Sequence, residues 1–140
     1  MLVLSFVMLM GLPLVVACSG SENPDTEVLV AGDVAVLKET EPFSGDVGGM
    51  GVSGTIAIVD GCVGVAGSNQ VIVFPPSTEV KGSGDDLVLT VDGIELRVGD
   101  AFDAGTRGSD GASLDDFGDL AEEAPESCRD NEAVQLEEFG

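Results

Sequence analysis

Three cysteines, Cys18, Cys62 and Cys128, are the residues of this 140-residue chain best suited to covalent chemistry. Cys18 closes the stretch Leu14-Val15-Val16-Ala17-Cys18 and is followed by Ser19-Gly20. A branched residue, a tolerant position and a small residue just before a cysteine form the pattern of a bacterial lipobox. At such a site a diacylglycerol is joined to the thiol and the segment before it is removed. The small residue is needed because the peptidase must fit the chain into a narrow site. Ser5 is the only polar side chain in residues 1–17. That run has the length of a signal-peptide core and falls short of the ~20 residues a membrane span requires. Residues 1–17 are therefore expected to be a lipoprotein signal peptide. Residues 18–27 then form the lipidated Cys18 and a polar, turn-prone tether. No Lys or Arg precedes Leu12, where a signal peptide ordinarily has one. An upstream start, an uncleaved anchor and ordinary secretion are the alternatives.

Cysteine parity bears on the same point. An odd number of cysteines in an exported protein leaves one thiol over. Lipidation of Cys18 accounts for it, and Cys62 and Cys128 then form a pair that oxidising surroundings close into a disulfide. A bridge over so long a loop stabilises the fold by roughly 4 kcal/mol on the chain-entropy model. The alternative is two buried free thiols. Two cysteines without a single histidine make too small a ligand set for structural zinc.

The charge balance narrows the partners. Against 26 Asp and Glu stand 5 Lys and Arg, a formal net charge of −21. Phosphate-rich nucleic acid is repelled by such a surface, as are anionic lipid headgroups. With no His, the usual Ser-His-Asp and Cys-His nucleophilic sites cannot be built. A Ser-Lys variant needs a buried lysine, whereas Lys38 and Lys81 lie in charged, exposed-looking surroundings. Carboxylates for glycoside hydrolysis are plentiful, but no Trp or Tyr is present to stack on a sugar. The chain is thus expected to be non-enzymatic. Calcium is the cofactor with most to recommend it, through Asp110, Asp115, Asp116, Asp119, Glu122 and Glu123. Their spacing departs from the EF-hand loop, and a solvated acidic loop is the simpler reading. Asp85-Asp86 reads as a loop tip. Phe43, Phe102 and Phe117 could line a ligand groove or sit in the core. The glycines at 45, 48, 49 and 51 have neither the lysine nor the helix of a phosphate-binding loop.

The elements that must position these residues are short strands. Residues 27–38 are rich in Val and Leu and are broken by Gly32-Asp33, which reads as a turn between two strands or a bulge. Residues 42–51 read as a glycine-rich loop. Asp60-Gly61 and Asp92-Gly93 each separate two apolar runs, the signature of a two-residue type I′ hairpin. Val71-Ile72-Val73-Phe74 reads as a strand ended by Pro75-Pro76. Residues 99–102 could open a further strand and residues 113–120 a helical turn with Ser113 as cap. Residues 133–137 close the chain as a strand with Val134 and Leu136 facing the core. Residues 28–140 are accordingly expected to be one all-β domain with an acidic loop around 103–127. Its expected form is a small closed or partly open OB- or SH3-like β-barrel of about six strands, with a β-sandwich as alternative.

Gly54-Thr55-Ile56, Asp60-Gly61-Cys62-Val63, Val73-Phe74-Pro75-Pro76-Ser77-Thr78 and Leu96-Arg97-Val98-Gly99-Asp100 together resemble a pattern in small exported lipoproteins of the actinobacterial type. There a Gly-Cys hairpin precedes an aromatic-Pro strand end and a Val-Gly-Asp strand, and a later cysteine and a short terminal strand follow. Two positions depart from that pattern: Ser77 stands where Gly is usual, and Gly105-Thr106 replaces Gly-Gly. The resemblance implies the β-rich fold and the disulfide and carries no activity with it. The expectation is thus an exported, lipid-anchored envelope protein, its domain outside the cytoplasm, monomeric, serving as a binding or structural module. The alternative is an extracytoplasmic calcium-binding module using residues 110–123.

Overall fold

The computed structural model describes residues 26–40, 48–106, 113–114 and 122–139. Ten strands follow one another: β1 (Thr26–Ala31), β2 (Val34–Glu39), β3 (Gly48–Val59), β4 (Cys62–Val65), β5 (Gln70–Phe74), β6 (Glu79–Lys81), β7 (Val88–Val91), β8 (Ile94–Arg97), β9 (Ala101–Thr106) and β10 (Glu132–Glu137). Helical structure among the described residues is confined to short pieces, with 3-10 turns at Gly84–Asp86 and Glu126–Cys128, a 3-10 residue at Leu114 and helical residues at 122–123.

The expected turns form. Gly32 has φ +69° and starts the β1–β2 hairpin, the place where a type II′ turn requires glycine. Asp60 and Gly61 have φ values of 51° and 90°, and Asp92 and Gly93 have 50° and 84°. Both pairs thus take the doubly left-handed backbone of a type I′ turn, which matches the twist of the β3–β4 and β7–β8 strands. Some local expectations are overturned. Gly48–Gly51 belong to β3 rather than to a loop, and β6 was not foreseen. Ser113 makes an isolated bridge to Glu132 and Leu114 after it is in 3-10 conformation, while the rest of the turn expected at 113–120 lies outside the described residues.

The expected all-β barrel does not form. The chain is a mixed α/β domain with two sheets, one of seven strands in the order β1-β2-β4-β3-β9-β10-β5 and one of three, β6-β7-β8. Neither sheet closes into a barrel. The contacts of β2 with β4 and of β4 with β5 span one residue pair each, and that of β2 with β5 spans two. A closed barrel needs continuous ladders around its girth. The third hairpin, moreover, leaves to form its own sheet. Three pairings, β2–β4, β2–β5 and β5–β10, are parallel, and local sequence patterns carry no sign of them.

Packing explains the departure. In β2, Val34 and Val36 belong to one core, and Ala35 and Leu37 to a second on the opposite face. In β5, Ile72 and Phe74 join the first, and Val71 and Val73 the second. Continuous apolar runs are what a sheet buried on both faces requires. The first core is covered by the small sheet through Leu89, Val91 and Leu96. The second is covered by Leu114, Ala124 and Cys128. Close approach also fixes Gly64, where a Cβ would lie 2.2 Å from the Gln70 carbonyl oxygen and 2.8 Å from Val59 Cγ2. Gly64→Ala is expected to destabilise the domain by about 2 kcal/mol through overpacking. Urea unfolding checks this, and an unchanged midpoint contradicts it.

Candidate functional site

The structure joins Cys62 to Cys128 in a disulfide, with Cα atoms 6.1 Å apart and both residues fully buried. The bridge belongs to a wider clasp. Ser127 Oγ donates to the Asp60 carbonyl, and Asn131 Nδ2 donates to Asp60 Oδ2 at 3.0 Å. Arg129 turns back on its own segment, its Nε donating to the Ala124 carbonyl and Nη2 to the Glu122 carbonyl. The segment 122–131 is thereby fastened to the Asp60-Gly61 turn, against the second core. Cys18, the proposed lipidation site, lies outside the described residues.

Of the six carboxylates considered for calcium, Asp110, Asp115, Asp116 and Asp119 lie outside the described residues. Glu122 and Glu123 are exposed. Among the described residues no three Asp, Glu, Cys or His side chains are grouped to hold a metal ion. Phe43 and Phe117 also fall outside the described residues. Phe102 is core rather than groove, 4 % exposed and packed against Phe139 with ring centroids 6.0 Å apart.

A groove of about 620 Å³ lies where the ends of β2, β5 and β10 meet the β7–β8 turn. Pro75 and Pro76, just past β5, give it a rigid apolar wall, and Thr40 and Ser77 line it beside them. Three carboxylates complete the lining, Asp92 from the hairpin tip and Glu137 and Glu138 from the end of β10. Ser77 Oγ donates to Asp92 Oδ1 at 2.6 Å, which holds the hairpin tip against the β5–β6 connection. Glu137 Oε1 is buried and meets no hydrogen-bond donor. Just beneath, Glu39 is 1 % exposed and accepts a bond from Gln135 Nε2 at 3.2 Å. Such a wall can hold a cation that has an apolar body. Ser77 and Asp92 have no imidazole to complete a nucleophilic site, because the chain has no histidine.

Lys38 differs from its expectation. Its side chain is only 16 % exposed, and Nζ sits 3.1 Å from Glu27 Oε1, with the Pro76 and Thr78 carbonyls at 3.4 and 3.5 Å. It therefore ties β1 and β2 to the chain leaving β5. The sequence marked Pro75-Pro76 only as the end of a strand. It gave no sign of the groove, because the parallel β5–β10 pairing brings residues more than sixty positions apart to one place.

No helix of the described residues is long and apolar enough to cross a membrane. Compared with protein-family models, with curated proteins and with solved structures, the chain matches none.

Proposed function

We propose that this chain is an envelope lipoprotein, anchored through Cys18 to the cell membrane, whose disulfide-pinned domain works outside the cytoplasm as a non-enzymatic binding module. The Cys62–Cys128 bridge carries this reading. Stable disulfides belong to oxidising compartments, and the bridge consumes two of three cysteines, leaving Cys18 in the lipobox as the thiol to be modified. Two or more acyl chains give the stable anchoring that one chain does not. The net charge of −21 directs binding toward cationic groups and away from phosphates. The proline and carboxylate groove is of a size and chemistry to take a small organic cation.

Cys18→Ala tests the anchor. The variant is expected to leave the membrane fraction and to lose essentially all incorporation of labelled fatty acid. Undiminished labelling, with the variant still in the membrane fraction, contradicts the proposal. Calcium is checked separately by calorimetric titration of the same protein, for which no heat at millimolar calcium is expected.

A further inference from the structure

Both sheets end in an open edge, and the two edges border one groove. β1 is the terminal strand of the large sheet and β6 of the small one, each paired on one side only among the described residues. Between them lies a groove of about 560 Å³, with Leu29, Val30 and Ala31 on one bank. Thr78, Val80, Lys81 and Gly82 form the other. The groove closes at one end, where a Cβ on Gly32 would stand 3.0 Å from Ser83 Cβ.

Strand register shows which backbone groups face outward. The two-residue turn makes Ala31 and Val34 a hydrogen-bonded pair, so Leu29 with Val36 is the next. The N–H and C=O groups of Val28 and Val30 therefore point away from β2. By the same alternation Val91 with Ile94 and Leu89 with Leu96 bond across β7–β8, which turns Val88 and Thr90 toward β6. Glu79 and Lys81 bond to them, and the backbone of Val80 faces outward. Open edges of this kind are ordinarily blunted by proline, bulges or cover. Here β1 has neither proline nor bulge, and Val30, 75 % exposed, is the one large hydrophobic side chain exposed among the described residues. Thr78 lines the groove almost fully buried, with no hydrogen-bond partner for its Oγ1.

Charge selects the occupant. The Gly32–Ser83 approach brings exposed Asp33 beside the Gly84–Asp86 turn, with Asp85 and Asp86 also exposed. Of the groove's own lining, Glu79 is acidic and Lys38 and Lys81 are basic, with Lys38 already paired to Glu27. The unpaired lining charges therefore balance, and the exposed Asp33, Asp85 and Asp86 near its closed end tip the sum to negative. We propose that this groove takes an extended cationic polypeptide segment by strand addition, the segment bonding to the outward backbone groups of Val28 and Val30 on β1 and of Val80 on β6. Backbone pairing supplies the recognition, and alternate side chains meet Val30 on one side and the acidic turns on the other. This goes beyond the proposed function to a second groove and is independent of the anchor, so failure of either leaves the other standing.

The full chain in neutral-detergent micelles, isotopically labelled for NMR, is titrated with a capped Lys-Val-Lys-Val-Lys-Val-Lys peptide. Amide exchange at Val28, Val30 and Val80 is expected to slow at least tenfold. Neither a Glu-Val analogue nor a copy N-methylated at alternate residues is expected to do this. Val30→Pro removes one outward donor that the β1–β2 ladder does not use, and is expected to weaken binding at least tenfold. Asp85→Lys with Asp86→Lys, on an exposed turn, is expected to weaken it comparably at low salt while leaving unfolding unchanged. Absent protection, or equal protection by all three peptides, overturns the proposal. So does protection already present in the free chain, which would place a second copy or the chain's own segment in the groove according to whether the mass is doubled.

Discussion

Replacing Cys62 and Cys128 together with Ala is expected to lower the unfolding free energy by about 4 kcal/mol on the chain-entropy model. The bridge spans 66 positions of sequence, so its loss releases a long loop in the unfolded chain. Alanine at both sites avoids leaving buried unpaired thiols. The loss falls on the clasp around Asp60-Gly61, where hydrogen bonds from Ser127 and Asn131 remain to hold the segment. The variant is therefore expected to keep its strands while the cover of the second core loosens. Urea unfolding of oxidised wild type and double variant gives the difference. A shift below about 1 kcal/mol would show that the clasp holds without the bridge.

Phe74→Ala is expected to cost a similar amount, about 3–5 kcal/mol. Phe74 is fully buried at the end of β5, and its ring stacks on Phe139 with centroids 5.8 Å apart and planes 18° from parallel. Phe139 in turn meets Phe102, so the truncation leaves a void at one end of a three-ring group centred on Phe139 in the first core. Because β5 pairs with β10, the C-terminal strand is expected to lose amide protection first. Thermal unfolding with hydrogen exchange checks both parts, and wild-type stability contradicts the packing described.

How far the sequence disclosed this arrangement depended on the range of each interaction. Asp60-Gly61 and Asp92-Gly93 announced their turns because the left-handed backbone there is set by two adjacent residues. Val71-Ile72-Val73-Phe74 announced a buried strand, and Pro75-Pro76 its end. The barrel expectation failed because Val34-Ala35-Val36-Leu37 reads the same whether a strand has one apolar side or two. Its two faces serve different cores. The parallel β5–β10 pairing joins residues far apart in sequence, and with it the groove formed by Pro75, Pro76, Asp92, Glu137 and Glu138 stayed hidden. Phe139, next to the last residue, carried no periodic neighbours to mark it as core. The disulfide was legible by parity alone, without geometry. The β1 and β6 edges were not, since an edge is defined by the strand that is missing beside it.

The most direct measurement on the central proposal is an intact mass spectrum of the wild-type protein extracted from membranes with neutral detergent. The expected species begins at Cys18, lacks residues 1–17, is heavier than residues 18–140 by a diacylglycerol and any further acyl chain, and has no thiol open to alkylation before reduction. After reduction two thiols become reactive, those of Cys62 and Cys128. A species that retains residues 1–17, or one whose Cys18 alkylates without reduction, contradicts the lipid-anchored account.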